Sequence, residues 1–258
     1  MNAYTRVVNA RDTKRPSGGF FINRMITKFV ELHGDRRFSD DGAIIGGIGF
    51  LNDIPVTVIA MERGSDVSER LKRNFGCPSP EGYRKALRLM KQAEKFNRPV
   101  ICFINSSGAY CGIGAEERGQ GLAIAENLME MMTLKTPVIS VVTGEGGSGG
   151  ALALSVADSI IMLENSVYSV ISPEGCASIL WKDSEKANEA AESLKLTAND
   201  LYKFGIIEKI IHEDNKTYDE VCDDLKVEIL ERLKSCSNIP TEKLLVDRYN
   251  KYRNIGTV

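Results

Sequence analysis

Apolar residues along the chain follow two patterns, short unbroken runs and longer runs with apolar residues at helical spacing. The first is typical of buried strands and the second of helices that cover a sheet. The strand pattern occurs at 43–50, 54–61, 100–104, 138–142, 160–163 and 206–211. The helical pattern occurs at 20–32, 80–96, 116–132, 174–182, 185–194, 218–233 and 241–252. This alternation predicts an α/β protein with a mostly parallel sheet covered by helices.

The order of these elements predicts one domain between two distinct ends. Residues 1–19 are polar and finish in Pro16-Ser17-Gly18-Gly19, which predicts a flexible N-terminus. Residues 20–236 hold the strands and most of the helices, and we expect them to form the α/β domain. Residues 237–258 are charged and predict a helical C-terminal arm.

Composition excludes several classes of partner. The 258 residues are 43% hydrophobic and 26% charged, with a net charge of −2, so no general affinity for nucleic acid or for a membrane is indicated. No apolar run approaches the roughly 20 residues that span a bilayer. The N-terminus lacks the apolar core of a signal peptide, so we expect a cytoplasmic protein.

Cysteine and histidine are too sparse and too scattered for an obvious metal centre. The six cysteines include no C-x-x-C pair, and the only histidines are His33 and His212. We therefore expect free thiols and no metal in this chain.

The most informative stretch is the glycine-rich segment that follows the predicted strand 138–142. It reads Thr-Gly-Glu-Gly-Gly-Ser-Gly-Gly-Ala over 143–151 and leads into a helix. Glycines at such a turn leave backbone N–H groups open to a ligand. The segment could therefore hold a phosphate, a nucleophile or an oxyanion.

Two of these three interpretations are disfavoured. Gly144, Gly146 and Gly149 fit a dinucleotide-binding G-x-G-x-x-G, but 151–158 is shorter than the crossover helix of such a unit. Ser148 fits a serine-hydrolase G-x-S-x-G with His212 downstream, but a histidine among charges after a strand is typical of a surface. The acid of that hydrolase would come from one of three residues, Asp158, Asp183 or Asp200.

The third interpretation needs no reacting side chain. The backbone N–H groups of Gly149 and Gly150 would form an oxyanion hole, with Ser148 a turn residue. A second glycine turn, 105–112, follows the predicted strand 100–104. Successive parallel strands end at the same edge of a sheet, so we expect the two turns to meet there.

Several stretches closely resemble the carboxyltransferase α subunit of bacterial acetyl-CoA carboxylase. The most specific are GEGGSGGALA at 144–153 and YSVISPEGCASILWK at 168–182. The resemblance extends from about residue 30 to 212 and includes 33–36, 73–76, 80–90 and 114–120.

This resemblance implies a crotonase-like fold, a spiral of ββα units, and transfer of a carboxyl group to acetyl-CoA to form malonyl-CoA in fatty acid biosynthesis. The carboxyl donor would be carboxybiotin on a separate biotin carboxyl carrier protein, charged by biotin carboxylase. Activity would require a zinc-ribbon β subunit in an α2β2 assembly. Gly149 and Gly150 correspond to the family's oxyanion pair. We expect six substrate-binding residues, which are Gly146, Gly147, Gly108, Ala109, Tyr110 and Arg73.

Two features of the sequence are not explained by the resemblance alone. Ser107 and Cys111 stand where the family usually has prolines, so the loop 105–112 should be less rigid. Basic residues at 70, 72, 73, 84, 85 and 88 could bind acidic groups or form a solvated face. The alternatives are a serine hydrolase using Ser148, a stand-alone crotonase-family acyl-CoA enzyme, and a scaffold subunit.

Overall fold

A mixed sheet forms the centre of the molecule, which is a computed structural model describing residues 1–256. Its strands are β1 (Ile26–Glu31), β2 (Ile44–Leu51), β3 (Ile54–Met61), β4 (Val100–Ser106), β5 (Val138–Gly147), β6 (Ser159–Leu163), β7 (Val167–Ser169) and β8 (Lys209–Ile211). Their order across the sheet is β1-β2-β3-β4-β5-β6-β8, and β7 pairs separately with β5. β2 is antiparallel to both of its neighbours, β1 and β3, and the remaining pairs are parallel.

Helices cover both faces of this sheet. They are α1 (Ala3–Arg11), α2 (Gly18–Met25), α3 (Val67–Lys72), α4 (Pro80–Lys95), α5 (Ile113–Glu117), α6 (Gln120–Thr133), α7 (Ser148–Leu152), α8 (Pro173–Trp181), α9 (Ala187–Leu194), α10 (Ala198–Lys203), α11 (Tyr218–Ser237) and α12 (Thr241–Arg253). The α/β class and the predicted strand-helix alternation are confirmed.

The sheet separates two hydrophobic cores because alternate residues of each strand point to opposite faces. In β4, Cys102 and Ile104 pack with α4 and α6 in one core. Ile101 and Phe103 pack in the other, with α2 and α11. All seven residues of β4 are buried, as expected for a central parallel strand.

Two predicted helices differ from the structure. The apolar residues of 20–32 are divided between α2 and the edge strand β1, because hydrogen bonding to β2 continues the sheet from Ile26 onward. The predicted helix 116–132 is broken at Gly119, whose φ of 83° is left-handed, so α5 and α6 are separate.

The segment 1–19, predicted to be a flexible N-terminus, contains a packed helix. Residues 3–11 form α1, and its apolar positions Ala3, Val7 and Ala10 pack against Ala191 and Leu196. The residues that α1 contacts lie far from it in the sequence, so the local composition of residues 1–19 gives no signal of this packing. The domain boundaries at 19 and 236 stay a prediction, although α12 does form a separate final helix.

Residues 1–256 include neither a membrane-spanning helix nor a cluster of metal-binding side chains. No helix in that range is long and apolar enough to cross a membrane. The same residues contain no group of three or more His, Cys, Asp or Glu side chains arranged to hold a metal ion.

Candidate active site

The glycine-rich segment lies where β5 passes into α7. β5 continues to Gly147, beyond the predicted end at residue 142, because its residues 145–147 pair with β7. Ser148 then has a left-handed φ of 57° and begins α7. The helix has five residues, and its first N–H groups have no partner within the helix.

The two glycine turns touch each other, as their positions on adjacent parallel strands predict. Ser106 lies beside Gly146 in the β4–β5 register. A Cβ on Gly147 would lie 2.1 Å from the carbonyl oxygen of Ser107. A Cβ on Gly150 would lie 2.4 Å from the backbone nitrogen of Ala109. Glycine at 147 and 150 is therefore required by the contact between the turns.

Gly149 differs from its neighbours. A Cβ at Gly149 would meet only the Ile124 side chain, at an ordinary 3.7 Å. The protein itself therefore has room for a side chain at 149, whereas it has none at Gly150. If glycine is needed at 149, the need comes from a ligand that approaches the backbone.

Hydrogen bonds hold the second turn without the family's prolines. The Ser106 hydroxyl donates to the Gly108 carbonyl oxygen (2.7 Å) and accepts from the Gly108 N–H (3.1 Å). The Gln120 side chain donates to the carbonyl oxygens of Pro78 and Tyr110, both at 2.8 Å. The loop is therefore fixed by polar contacts where Ser107 and Cys111 replace prolines.

A buried tyrosine lies beneath Gly150. A Cβ on Gly150 would lie 2.8 Å from the hydroxyl of Tyr83, which is fully buried and has no hydrogen-bond partner within residues 1–256. Burial raises the pKa of Tyr83 well above its ordinary value, so the group is a neutral phenol. The turn at 148–150, which we call the oxyanion turn, therefore packs against an uncharged hydroxyl group at Gly150.

An apolar cavity of about 390 Å³ opens beside Gly149. Tyr168 lies at its wall, with its hydroxyl 2.6 Å from the Ser155 hydroxyl, and burial raises the pKa of Tyr168 to about 12. The cavity suits an apolar ring or chain whose polar edge faces the backbone of 148–149. It is lined by Ser148, Gly149, Leu152, Tyr168, Ser169, Val170, Leu201, Ile206 and Ile255.

Two further cavities meet at Ser107 and Glu145. One, of about 220 Å³, includes Gly146, Gly147 and the α1 residue Val7 in its walls. The other, of about 180 Å³, is cationic and is lined by Arg11, Thr13, Arg63, Arg70, Phe75, Ser107 and Glu145.

Arg63 contributes positive charge to the second of these cavities. No carboxylate in residues 1–256 lies within salt-bridge distance of Arg63, which is half-buried and donates to the Asp12 carbonyl oxygen at 3.3 Å. Burial lowers its pKa, and the neighbouring charge of Arg70 lowers it further. An anion in the cavity would relieve this repulsion.

The predicted basic residues lie in different environments. Arg70 lines the cationic cavity, and of the predicted basic residues it is the one that reaches the glycine turns. Arg73 donates to Glu69 and to the Gly42 carbonyl oxygen in a different depression, away from the turns. Arg84 forms a largely buried ion pair with Asp35, and the buried Lys85 pairs with the exposed Asp40.

The remaining predicted site residues lie at the turns, whereas two cationic residues were missed. Gly108, Ala109 and the 41%-exposed Tyr110 belong to the second turn. Arg11 and Arg63 were not predicted, because Arg11 is in the segment expected to be flexible. Arg63 lies two residues after the end of β3, and an arginine near the carboxyl end of a strand was the available signal.

The parts of a serine-hydrolase site are not brought together. His212 lines neither of the cavities that include Ser148, is largely exposed, and pairs with Glu164 at 3.4 Å. Asp158, one of the candidate acids, is fully engaged by Arg248 at 2.7 Å. Within residues 1–256, neither His212 nor Asp158 is placed to act as the base or the acid for Ser148.

Solved structures of other proteins share the fold of this chain. A transcarboxylase 12S chain matches with a TM-score of 0.73 at 17% identity, over 92% of this chain and 44% of that one. A Pseudomonas malonate decarboxylase hetero-tetramer chain, solved with coenzyme A, matches with a TM-score of 0.72 at 16% identity, over 93% and 96%. This chain thus spans less than half of the transcarboxylase chain. The fold is crotonase-like, as predicted, and is that of carboxyltransferases rather than of serine hydrolases.

Sequence comparison identifies the family. The family model for acetyl co-enzyme A carboxylase carboxyltransferase-like proteins matches residues 1–256. A Ruminiclostridium cellulolyticum protein is 58% identical over 100% of this chain and 99% of its own. A Clostridium perfringens protein is 60% identical over 98% and 95%. Both are named acetyl-coenzyme A carboxylase carboxyl transferase subunit alpha. The chain belongs to this family of transferase subunits.

Proposed function

We propose that this chain transfers the carboxyl group of carboxybiotin to acetyl-CoA, forming malonyl-CoA for fatty acid biosynthesis in the cytoplasm. The contact between the two glycine turns carries the proposal, because it sets the backbone of Ser148 and Gly149 beside an apolar cavity and that of Ser107 beside a cationic one. The apolar cavity would receive the bicyclic ring of carboxybiotin, and the cationic cavity would receive an anionic group of the acyl-CoA substrate.

The backbone N–H groups of Gly149 and Gly150 are the proposed oxyanion donors. Both lie in the first turn of α7, where N–H groups lack helical partners. Such donors favour the transition state because they are fixed before charge develops, and one donor contributes about 2.7–4 kcal/mol.

The apolar cavity is the proposed site for the ring of carboxybiotin, which supplies the carboxyl group when it is bound. Leu152, Tyr168 and Val170 would contact the ring, and the cavity volume of about 390 Å³ accommodates it. Gly146, Gly147, Gly108, Ala109 and Tyr110 are the proposed contacts of the acyl substrate. The cationic cavity, with Arg63 and Arg70, would bind an anionic group, in preference to the predicted Arg73.

The proposed partners are a zinc-ribbon β subunit in an α2β2 assembly, the biotin carboxyl carrier protein and biotin carboxylase. Exposed apolar side chains near the turns support a partner surface. Val170, Ile179 and Leu180 lie on one side, and Ile113 and Leu122 lie on α5 and α6.

Reconstitution tests the function directly. The chain is mixed with the β subunit from the same source, and malonyl-CoA-dependent carboxylation of biotin, the reverse reaction, is measured. We expect activity from the mixture and none from either chain alone. An assembled complex that is inactive in both directions would contradict the proposal.

A matched pair of glycine variants tests the oxyanion hole. Gly149→Ala should leave the folded protein intact, because the new Cβ has room, yet lower turnover by about 100-fold by obstructing the donor. Gly150→Ala should lower both turnover and stability, because its Cβ overlaps Ala109. Turnover and thermal midpoints are measured in the reconstituted complex, with Ser148→Ala as the active control. Wild-type turnover in Gly149→Ala would refute the assignment.

A further inference from the structure

The N-terminal helix α1 is joined to the glycine turn by one arginine. Arg11 donates to Glu145 from Nε and from a terminal nitrogen, at 3.0 and 2.7 Å. Its other terminal nitrogen donates to Glu174 at 2.8 Å. Glu145 lies within the glycine-rich end of β5, and Glu174 lies in the first turn of α8. Arg11 therefore bridges two elements that flank the cavity containing Gly146 and Gly147.

A second arginine holds the same strand. Arg15 is buried, and its Nε donates to the carbonyl oxygen of Thr143 at 2.5 Å, while its guanidinium pairs with Glu213 at 2.9 Å. Asn105 accepts from the N–H of Glu145 at 3.1 Å. The residues on both sides of Gly144 are thus held by side chains from outside β5.

These contacts matter because the segment they hold is rich in glycine. Glycine has the largest backbone freedom, so the end of β5 cannot fix its own geometry through local preference. Val7 of α1 also forms part of the cavity wall, and Ala3, Val7 and Ala10 pack against α9 and β7. Helix α1 is therefore a docked part of the site.

We propose that Arg11 is a positioning residue, which fixes the oxyanion turn by bridging Glu145 and Glu174. This inference rests on the proposed function, since it concerns the same turn. Arg11 acts through the two carboxylates and leaves the binding of anions to Arg63 and Arg70.

Arg6 supplies a matched control on the same helix. It donates to the Glu164 carbonyl oxygen at 2.6 Å and to the Asn165 side chain at 2.9 Å, and it lines none of the three cavities at the turns. Arg6→Ala and Arg11→Ala each remove one guanidinium that docks α1, but only the second releases the glycine turn.

The experiment compares kcat and KM in the reconstituted complex. A displacement of about 1 Å can reduce a rate by about 100-fold, so we expect Arg11→Ala to lower kcat about 10- to 100-fold with KM changed less than threefold. Arg11→Lys should recover part of kcat, Glu174→Gln should reproduce the loss in part, and Arg6→Ala should retain wild-type kcat. Thermal midpoints of Arg6→Ala and Arg11→Ala should be similar.

Two results would contradict the positioning role of Arg11. Equal kcat in Arg6→Ala and Arg11→Ala would overturn the positioning role. A large rise in KM at unchanged kcat would overturn it too, by indicating that Arg11 binds substrate. An inactive wild-type complex would instead count against the proposed function, and so the two failures are distinguishable.

Discussion

The first helix, α1, packs near the end of β5 and the last helix, α12, near its start, and the two are held by different means. In α12, Arg248 is only 1% exposed and engages Asp158 through two nitrogens, at 2.8 and 2.7 Å. In α1, the side chain of Arg11 is 33% exposed. The remaining Arg248 donors reach the carbonyl oxygens of Met131, Leu134 and Thr136.

The different burial of Arg248 and Arg11 leads us to expect different roles for α12 and α1. A buried charge without its partner is strongly destabilising, whereas an exposed ion pair contributes about 1 kcal/mol or less. We therefore expect α12 to stabilise the fold and α1 to set the geometry of the site. Three predictions test that division, beginning with the largest effect.

Removal of the Arg248 side chain should have the largest effect on stability. Arg248→Ala leaves the buried carboxylate of Asp158 unpaired, so we expect a loss of about 3–5 kcal/mol in the free energy of unfolding, measured by urea denaturation. Arg248→Lys, which keeps the charge but loses the fork, should fall between wild type and Arg248→Ala. A loss no greater than that of Arg11→Ala would remove the distinction between the two ends.

The hydroxyl of Tyr252 should have an intermediate effect. It accepts from the N–H of Ala157 at 2.7 Å and donates to the carbonyl oxygen of Ser155 at 2.9 Å, in the loop after α7. Tyr252→Phe leaves that N–H unpaired, so we expect about 1–3 kcal/mol of destabilisation. Tyr249→Phe, at a 57%-exposed position of the same helix, is the control and should change stability little. Equal effects would show that the hydroxyl contributes nothing specific.

Lowering the pH should produce the smallest effect on stability, and it should act at α1, through the Arg11–Glu174 pair. Burial is the largest influence on Glu174 and opposes its ionisation. The hydrogen bonds from Arg11, from the Glu174 backbone N–H and from Tyr4, together with the charge of Arg11, outweigh burial and lower the pKa of that carboxyl below its ordinary 4.5. A carboxylate with a lowered folded-state pKa stabilises above its unfolded value and loses that contribution as the pH falls through the folded value. The stability difference between wild type and Arg11→Ala should therefore be present above pH 4.5 and shrink below it.

Both side chains are about one-third exposed, so this difference should be about 1 kcal/mol or less. It is measured as the difference between two urea titrations at each pH, which cancels titrations common to both proteins. A difference that grows as the pH falls would contradict the assigned role of the Arg11–Glu174 pair.

Much of the fold was predictable because its signals are local. The strand pair β2–β3 and the central strands β4, β5 and β6 are buried runs, and α4 begins at a proline in its first turn. Prediction failed where distant pairing decided the structure. Ile26 onward joins β2 instead of continuing α2, and residues 3–11 fold onto α9, which lies more than 170 positions away.

The residues of the candidate site also divide into those that the sequence predicts and those that only the fold identifies. The two glycine turns and their contact follow from strand order, so Gly146, Gly147, Gly149 and Gly150 could be found from the sequence. Arg73 and Arg70 look equivalent in a basic run. Only the fold distinguishes them, because Arg73 is engaged by Glu69 and Arg70 lines a cavity.

The sequence by itself determined the class of fold, the glycine turns and the family, because these depend on periodicity and on residues near each other along the chain. The tertiary structure decided which charged side chains reach the turns and which glycine has room for a side chain. Gly149 and Gly150 are chemically identical in the sequence, and they differ only because Ala109 and Tyr83 approach one and not the other. Such distances depend on how separate elements pack, and no local pattern of residues encodes them.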